Sequence, residues 1–284
     1  SLWIGTLIAV LWSAQRVDDD IGLNPANSLL GHDATTTSIG GTFAGLAFAF
    51  VTGLAGTFTA CNVAVFSAIT PMVENRSTAA DRMRQALRPL MWLALGAIVV
   101  SGVYGAIGAL AGHHIPALST ATFGSKHYPV RIRQSMGVVA VSGIVMLYLG
   151  LAQLRLVPDP LARATARWEH TPQVAMGVLI GAFLVGRPWG LFHKLFQHAA
   201  DTHNPFFGAA SFILVVIGNL LVMGLLFLLL AASRFPQWLR ADPGRIARVT
   251  AVALLIGGAF TFVYWGVRLP AKLGYGWFPT MPWS

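Results

Sequence analysis

The stretch GLAGTFTACNVAVFSAITPM (Gly53–Met72) combines the apolar character of a membrane span with a cluster of polar residues. It contains Cys61, which is the only cysteine in the chain, and these polar side chains: Thr57, Thr59, Asn62, Ser67 and Thr70. Polar groups are costly against lipid because nothing there forms hydrogen bonds with them. We therefore expect Thr57, Thr59 and Asn62 to face a partner helix or a water-filled cavity.

The composition places the whole chain in a membrane. Of its 284 residues, 55% are hydrophobic and only 10% are charged, whereas about a quarter of the residues are charged in soluble proteins. The net charge of +9 comes from arginines in short loops between apolar segments. Membrane topology explains that charge better than a nucleic-acid partner does. A single cysteine excludes an internal disulfide and a multi-thiolate metal site, and the sequence predicts no cofactor.

We predict an all-α integral membrane protein with about seven spans, since about 20 mostly apolar residues are needed to cross a bilayer; the first of these spans is short. An N-terminal anchor helix and outer loop occupy residues 1–38, and a transmembrane domain with an outer tail occupies residues 39–284. The second span is too long for one simple helix and must tilt, break or extend beyond the bilayer. The predicted spans are Leu2–Ala14, Gly40–Pro71, Pro89–Ala111, Gln134–Leu154, Val174–His198, Pro205–Ala232 and Val249–Val267.

Arginine-rich loops follow the second, fourth and sixth spans, and acidic residues follow the first span. By the positive-inside rule, the arginine-rich loops face the cytoplasm of a cell (plasma or inner) membrane. The N-terminus is then cytoplasmic and the C-terminus is extracytoplasmic. The residues that set this orientation are Arg76, Arg82, Arg84, Arg88, Arg155, Arg163, Arg167, Arg234, Arg240, Arg245 and Arg248 against Asp18, Asp19, Asp20 and Asp33.

Two segments align without gaps and indicate an internal repeat. AFVTGLAGTFTACNVAVF (Ala49–Phe66) matches GVLIGAFLVGRPWGLFHK (Gly177–Lys194), so that Cys61 falls on Trp189. Each segment is the first of a set of three spans, and the two sets cover about residues 39–156 and 172–268. Because three is an odd number, the two sets cross the membrane in opposite directions and form an inverted repeat. Inverted repeats often place a site where interrupted helices meet. We expect the second and fifth spans to cross at the centre of the bundle.

Arg187 and Pro188 mark an irregular point in the fifth span. Proline removes a backbone donor and should kink the helix, and an arginine at membrane depth is a functional-site hypothesis by default. Arg187 is expected to face protein or water near the TAC segment. The alternative is an arginine whose side chain extends to the outer surface of the membrane.

The six-helix core, the 3+3 inverted repeat and the glycine-rich helix with TAC followed by a late proline resemble the CcdA/DsbD transmembrane family. The resemblance covers roughly Gly40–Val267. It implies thiol–disulfide electron transfer across the membrane, including supply to cytochrome c maturation. The family has a proline–cysteine pair in the first helix of each half. This sequence has Ala60 before Cys61 in one half, and Pro188 before Trp189 in the other.

The missing second cysteine limits the activity that the resemblance implies. A relay alternates between a dithiol and a disulfide, and Trp189 cannot take part in that exchange. Cys61 can form a mixed disulfide with another protein but cannot resolve it alone. The alternative is that Cys61 is a small buried apolar residue.

Histidines and one amide complete the candidate residues. His193 and His198 are five residues apart and so do not share a helix face. A haem or copper site would need a further histidine, and the candidates are His113 and His114. Interfacial histidines are the simpler interpretation. Asn219 lies near the middle of the sixth span, where it is expected to bond another helix or to line a solute path.

Three functions from different classes remain open at this point. The first is a CcdA/DsbD-like protein in thiol-redox or cytochrome c maturation traffic that needs a partner thiol. The second is a transporter with a polar cavity lined by Thr57, Thr59, Asn62, Arg187 and Asn219. The third is a non-catalytic subunit of a larger membrane complex. The expected partners are the lipid bilayer and other membrane or extracytoplasmic protein subunits.

Overall fold

The computed structural model of the chain describes residues 1–13, 16–57, 79–116, 121–123, 128–233, 242–279 and 281. Most of these residues are helical and very few are in strands, in agreement with the all-α class. In chain order the helices are α1 (Leu2–Leu11), α2 (Asn24–Leu30), α3 (Gly41–Ala55), α4 (Ala79–Ala111), α5 (Val130–Gln153), α6 (Ala162–Arg167), α7 (Thr171–Gly186), α8 (Gly190–Thr202), α9 (Pro205–Ala232), α10 (Pro243–Val263) and α11 (Leu269–Lys272).

Short elements of other types join these helices. Val17–Leu23 and Tyr264–Arg268 are π-helical, and Gly112–His114 is one turn of 3₁₀-helix. Two strands, β1 (Thr122–Phe123) and β2 (Tyr128–Pro129), pair antiparallel. The segment predicted as an outer loop within residues 1–38 contains helical elements up to Leu30.

Four helices in the described residues are long and apolar enough to cross a membrane, which makes this a membrane protein. They are Leu87–Ala111, Val130–Gln153, Pro205–Leu229 and Gly244–Lys272. The bent pair α7 and α8 raises the number to five if the pair forms one span, and α1 and α3 are shorter apolar helices. The count of seven stays a prediction, since residues 58–78 of the long second segment lie outside the described part.

The start of α9 was placed correctly because its cap is a local signal. The Asn204 side chain accepts hydrogen bonds from the backbone N–H groups of Phe206 at 3.0 Å and Phe207 at 3.2 Å. Pro205 occupies the first helical position, where a missing N–H costs nothing. Asp242 and Pro243 start α10 in the same way, and Asp242 accepts from the Gly244 N–H at 2.8 Å.

The predicted span Val174–His198 corresponds to two helices, α7 and α8, and the break between them lies at Pro188, where a kink was expected. They bend by 84° between Gly186 and Gly190. Pro188 has no N–H to donate to the carbonyl four residues earlier, and it forces the residue before it into an extended conformation. Arg187 accordingly has φ −73° and ψ 124°. The second helix, α8, is amphipathic and buries one face, with Phe192, Leu195 and Ala199 among its buried residues.

Glycines set the packing of the long helices. A Cβ on Gly105 of α4 would lie 2.4 Å from the Gly208 oxygen, and one on Gly208 of α9 would lie 2.3 Å from the Gly105 oxygen. Only residues without a side chain allow such an approach. The central crossing is thus between α4 and α9. In the described part of the chain, α3 packs on α9 and α7 packs on α4. The predicted crossing of the second and fifth spans stays a prediction, because residues 58–71 of the second span lie outside the described part.

The outer pairs use glycines in the same way. Gly53 of α3 approaches Val215 of α9, and Gly177 of α7 approaches Leu93 of α4. Successive contacts show that α3 runs parallel to α9 and α7 runs parallel to α4, while α4 and α9 run antiparallel. An inverted repeat requires these directions. The repeat itself stays a prediction, since its evidence is a weak alignment.

Candidate functional site

The ends of α3 and α7 meet beside the π-helical segment Val17–Leu23. We call this place the Arg187 junction and define it by Asp18, Gly22, Gly56, Arg187 and Trp189. Gly56 ends α3, while Arg187 ends α7 and Trp189 begins α8. The proline-induced break therefore brings a charged and an aromatic side chain to the same point.

Arg187 faces protein, and its side chain is only 10% exposed. Its guanidinium forms an ion pair with Asp18 and donates a hydrogen bond to the Gly56 carbonyl at 3.3 Å. The guanidinium carbon also lies 5.0 Å from the centre of the Trp189 ring. A buried guanidinium is tolerated when its charge is paired and its donors are used. These contacts join α7, α3 and the N-terminal segment.

Trp189 occupies the position that aligns with Cys61, and it is almost fully buried. A Cβ on Gly22 would lie 2.8 Å from this ring, and one on Gly56 would lie 3.3 Å from it. The ring of Phe192 stands edge-on to it, with 5.1 Å between the ring centres. The indole is thus enclosed by two glycines and an aromatic ring, which is a packing role.

The structure also brings together Thr57 and Asn219, both fully buried. The Thr57 hydroxyl donates to the backbone carbonyl of Leu54 at 2.8 Å, and the backbone oxygen of Asn219 lies 3.4 Å from the same hydroxyl. Thr57 follows Gly56, so this contact adjoins the Arg187 junction. The other predicted site residues of the second span, Thr59, Cys61 and Asn62, lie outside the described residues.

The candidate histidines do not converge in the described part of the chain. No three His, Cys, Asp or Glu side chains among those residues are placed to hold a metal ion. His114 is exposed, and His198 stands edge-on to Phe207 with 5.4 Å between ring centres. The side chain of His113 is outside the described part. The described residues therefore give no support to a metal site at these histidines. Whether the protein binds a metal ion is not tested by the structure, and the absence of one stays a prediction.

A small cavity of about 20 Å³ lies beside Arg187, between the start of α5 and α8. Its polar lining comes from the start of α5, from Arg187 and from α8: Arg131, Gln134, Ser135, Arg187 and His193. A cavity of this size holds about one water-sized group. Neither Thr57 nor Asn219 lines it, so it is not the solute cavity that the transporter interpretation predicted.

A second arginine attaches the first helix to the bundle. Arg268 is almost completely buried, and it donates to the carbonyls of Ala9 at 2.5 Å and Trp12 at 2.8 Å. These are carbonyls at the C-terminal end of α1, which have no partner within their own helix. A cation is also favoured there by the helix dipole. Arg268 therefore caps α1 from the far end of the chain.

Sequence reasoning missed Asp18, Arg131 and Arg268 as parts of these sites. A signal existed for Asp18, since it was predicted on the same side of the membrane as Arg187 and a buried arginine needs an anion. Arg268 had a similar signal, because the ends of the first and last spans were predicted on one side. Nothing in the sequence singled out Arg131 from Arg133.

No protein-family profile, curated protein or solved structure matches this chain. The resemblance to the CcdA/DsbD family therefore depends on the residues quoted above.

Proposed function

We propose that this membrane protein serves thiol-redox or cytochrome c maturation traffic as a subunit that works with a partner thiol, and not as a complete electron relay. One observation supports this most directly. Trp189, which aligns with Cys61, is enclosed by Gly22, Gly56 and Phe192 and is adjoined by the Arg187 guanidinium. A position packed in this way fixes the junction and provides no second thiol.

The chemistry left to the chain is a single thiol–disulfide exchange. The Cys61 thiolate attacks a disulfide of the partner, the partner's S–S bond breaks, and one partner sulfur leaves as a thiolate. The product is a mixed disulfide between Cys61 and the partner. A thiolate of a second protein that carries a reduced dithiol then attacks the Cys61 sulfur, and the first partner leaves as a dithiol. The remaining thiol of the second protein displaces Cys61 as a thiolate, so that the second protein is oxidised to a disulfide and the first partner is reduced. No internal disulfide of this chain forms at any step.

Trapping the mixed disulfide tests the proposal. Membranes are treated with an alkylating agent to freeze the exchange, and the protein is purified in mild detergent without reductant. We expect a covalent adduct that disappears on reduction and is missing in Cys61→Ser, while Ser67→Ala, a matched small substitution in the same segment, keeps it. An adduct that persists in Cys61→Ser, or none in the wild type, would contradict the proposal.

A transporter is the second candidate function, and the break between α7 and α8 favours it. Interrupted helices often form solute sites in inverted-repeat transporters. The ion pair at Arg187 and the burial of Thr57 argue against an open path in this state. Reconstituted vesicles that take up a solute, and lose uptake but not thermal stability with Arg187→Leu, would favour the transporter over the redox subunit.

A further inference from the structure

Two arginines line the small cavity beside the Arg187 junction, and the described residues provide a carboxylate partner for only one of them. Arg131 at the start of α5 and Arg187 at the end of α7 both line it. Asp18 pairs with Arg187, but Arg131 forms no ion pair with a carboxylate in the described part of the chain. Arg131 is half-buried, and a cation that loses part of its contact with water is stabilised by a neighbouring anion.

Arg131 also presents a donor that is not used by the protein. Its Nε is buried and has no acceptor among the described residues. A guanidinium has five N–H donors and no acceptor, so whatever occupies the cavity must accept hydrogen bonds. This requirement selects an anion or a water oxygen.

Gln134 can supply a further donor. Its amide nitrogen donates to the Tyr104 hydroxyl at 3.0 Å, while its amide oxygen is buried without a partner. The two ends of an amide have nearly the same shape. Turning the group by half a revolution lets the oxygen accept from Tyr104 and leaves the nitrogen to donate into the cavity. In that orientation neither end of the amide is left unsatisfied.

Size decides between the possible anions. The cavity measures about 20 Å³, enough for one water-sized group. Sulfate, phosphate, a lipid headgroup and carboxylates would extend beyond a space of this size. A water molecule fits but leaves the Arg131 charge unbalanced. We propose that this cavity is a binding site for one small monatomic anion, held by Arg131 and Arg187. Chloride is the natural probe.

An anion here would stabilise three elements together, because the cavity walls come from α5, α8 and the end of α7. The α5–α7 pair also flanks a wide apolar groove of about 790 Å³ that Arg133 and Val141 help to line. The anion would therefore connect α5 and α7, whose side chains leave this groove between them. The inference does not depend on thiol chemistry and holds whether or not Cys61 reacts.

The test measures thermal unfolding of the full chain in detergent, after exchange into gluconate to remove small anions. Titration with chloride at constant ionic strength should raise the Tm of the wild type in a saturable manner, by about 3 °C or more at a concentration tenfold above Kd, since binding to the folded state alone stabilises it. Bromide should replace chloride, and sulfate should not.

Arg131→Gln should abolish the chloride effect. Arg133→Gln is the matched control, because Arg133 is exposed two residues along the same helix and does not line the cavity. A wild type that does not respond to chloride, an equal response to sulfate, or an unchanged response in Arg131→Gln would overturn the proposal. If Arg131→Gln does not fold, bromide soaked into crystals of the wild type decides: an anomalous peak beside Arg131 supports the site, and its absence overturns it.

Discussion

Arg187 and Asp18 are 169 residues apart in the sequence, yet their side chains form an ion pair at the point where α7 ends. The pair fastens the N-terminal segment to the break in the chain at Pro188. Gly56, at the end of α3, accepts from the same guanidinium. One side chain thus connects both halves of the proposed repeat with the residues that precede it.

Arg187→Leu should therefore lower the thermal stability of the protein, whether or not it also affects transport. Removing one partner of a buried ion pair costs about 3–5 kcal/mol, and the half-exposed Asp18 reduces the expected loss to about 1–3 kcal/mol. Thermal unfolding in detergent measures it. Asp18→Asn should have a similar effect, and the double variant should lose less than the sum of the two. Arg163→Leu removes an exposed arginine from α6 and should change little. An unaltered Tm in Arg187→Leu would contradict a stabilising role for this ion pair.

Local signals in the sequence predicted more than long-range ones. Pro188 gave the position of the break, and Asn204–Pro205 gave the start of α9, because each acts on its own few residues. The ion pair with Asp18 depends on how distant segments pack, so no local pattern reveals it. The central crossing of α4 and α9 was missed for a related reason. Glycines are frequent in all these spans, and their number does not say which helix each one meets.

Because the backbones of Gly105 and Gly208 lie close together, alanine should destabilise the protein at one glycine of α9 and not at another. Gly208→Ala places a methyl group against the Gly105 backbone, so α4 and α9 must separate. Overpacking of this kind costs about 1–3 kcal/mol. Gly224→Ala is the control on the same helix, since its added Cβ meets nothing within 4 Å. Thermal unfolding should separate the two variants. Equal Tm values would mean that α4 and α9 do not cross through these glycines.

Acid should loosen the loop that covers Lys194. The Lys194 ammonium donates to the carbonyls of Ala34 at 2.7 Å and of Thr35 at 3.2 Å, and also to that of Thr37. Hydrogen bonds from the Thr35 side chain and backbone hold the pKa of Asp33 below its usual value. A depressed pKa means that this contribution to stability is present above the unfolded pKa and is lost as the pH falls through the folded one.

Hydrogen exchange of residues 33–37, corrected for the intrinsic rate, measures this effect. Protection in the wild type should be high at about pH 7 and low at about pH 2, because the pKa of Asp33 in the folded state lies below the ordinary aspartate value of about 4. In Asp33→Asn it should be low at both values, while Asp20→Asn, an exposed aspartate in the π-helical segment, should behave like the wild type. Protection in Asp33→Asn that matches the wild type at neutral pH would show that the carboxylate does not order this loop.

Trp189→Cys tests the family resemblance directly, because it restores a thiol at the position that aligns with Cys61. Gly56, five residues before Cys61, lies against the Trp189 ring, so the resemblance places Cys61 within reach of the introduced thiol. Mild oxidation should then form an internal disulfide, seen as loss of both thiols to a maleimide reagent and as a mass change on reduction. Cys61→Ser combined with Trp189→Cys should form none.

Removing the indole leaves a cavity that costs about 3–5 kcal/mol, so Trp189→Ala serves as the control for stability alone. A folded Trp189→Cys variant that keeps two free thiols after oxidation would show that Cys61 lies away from the Arg187 junction, and the resemblance would then fail at the residues on which it depends.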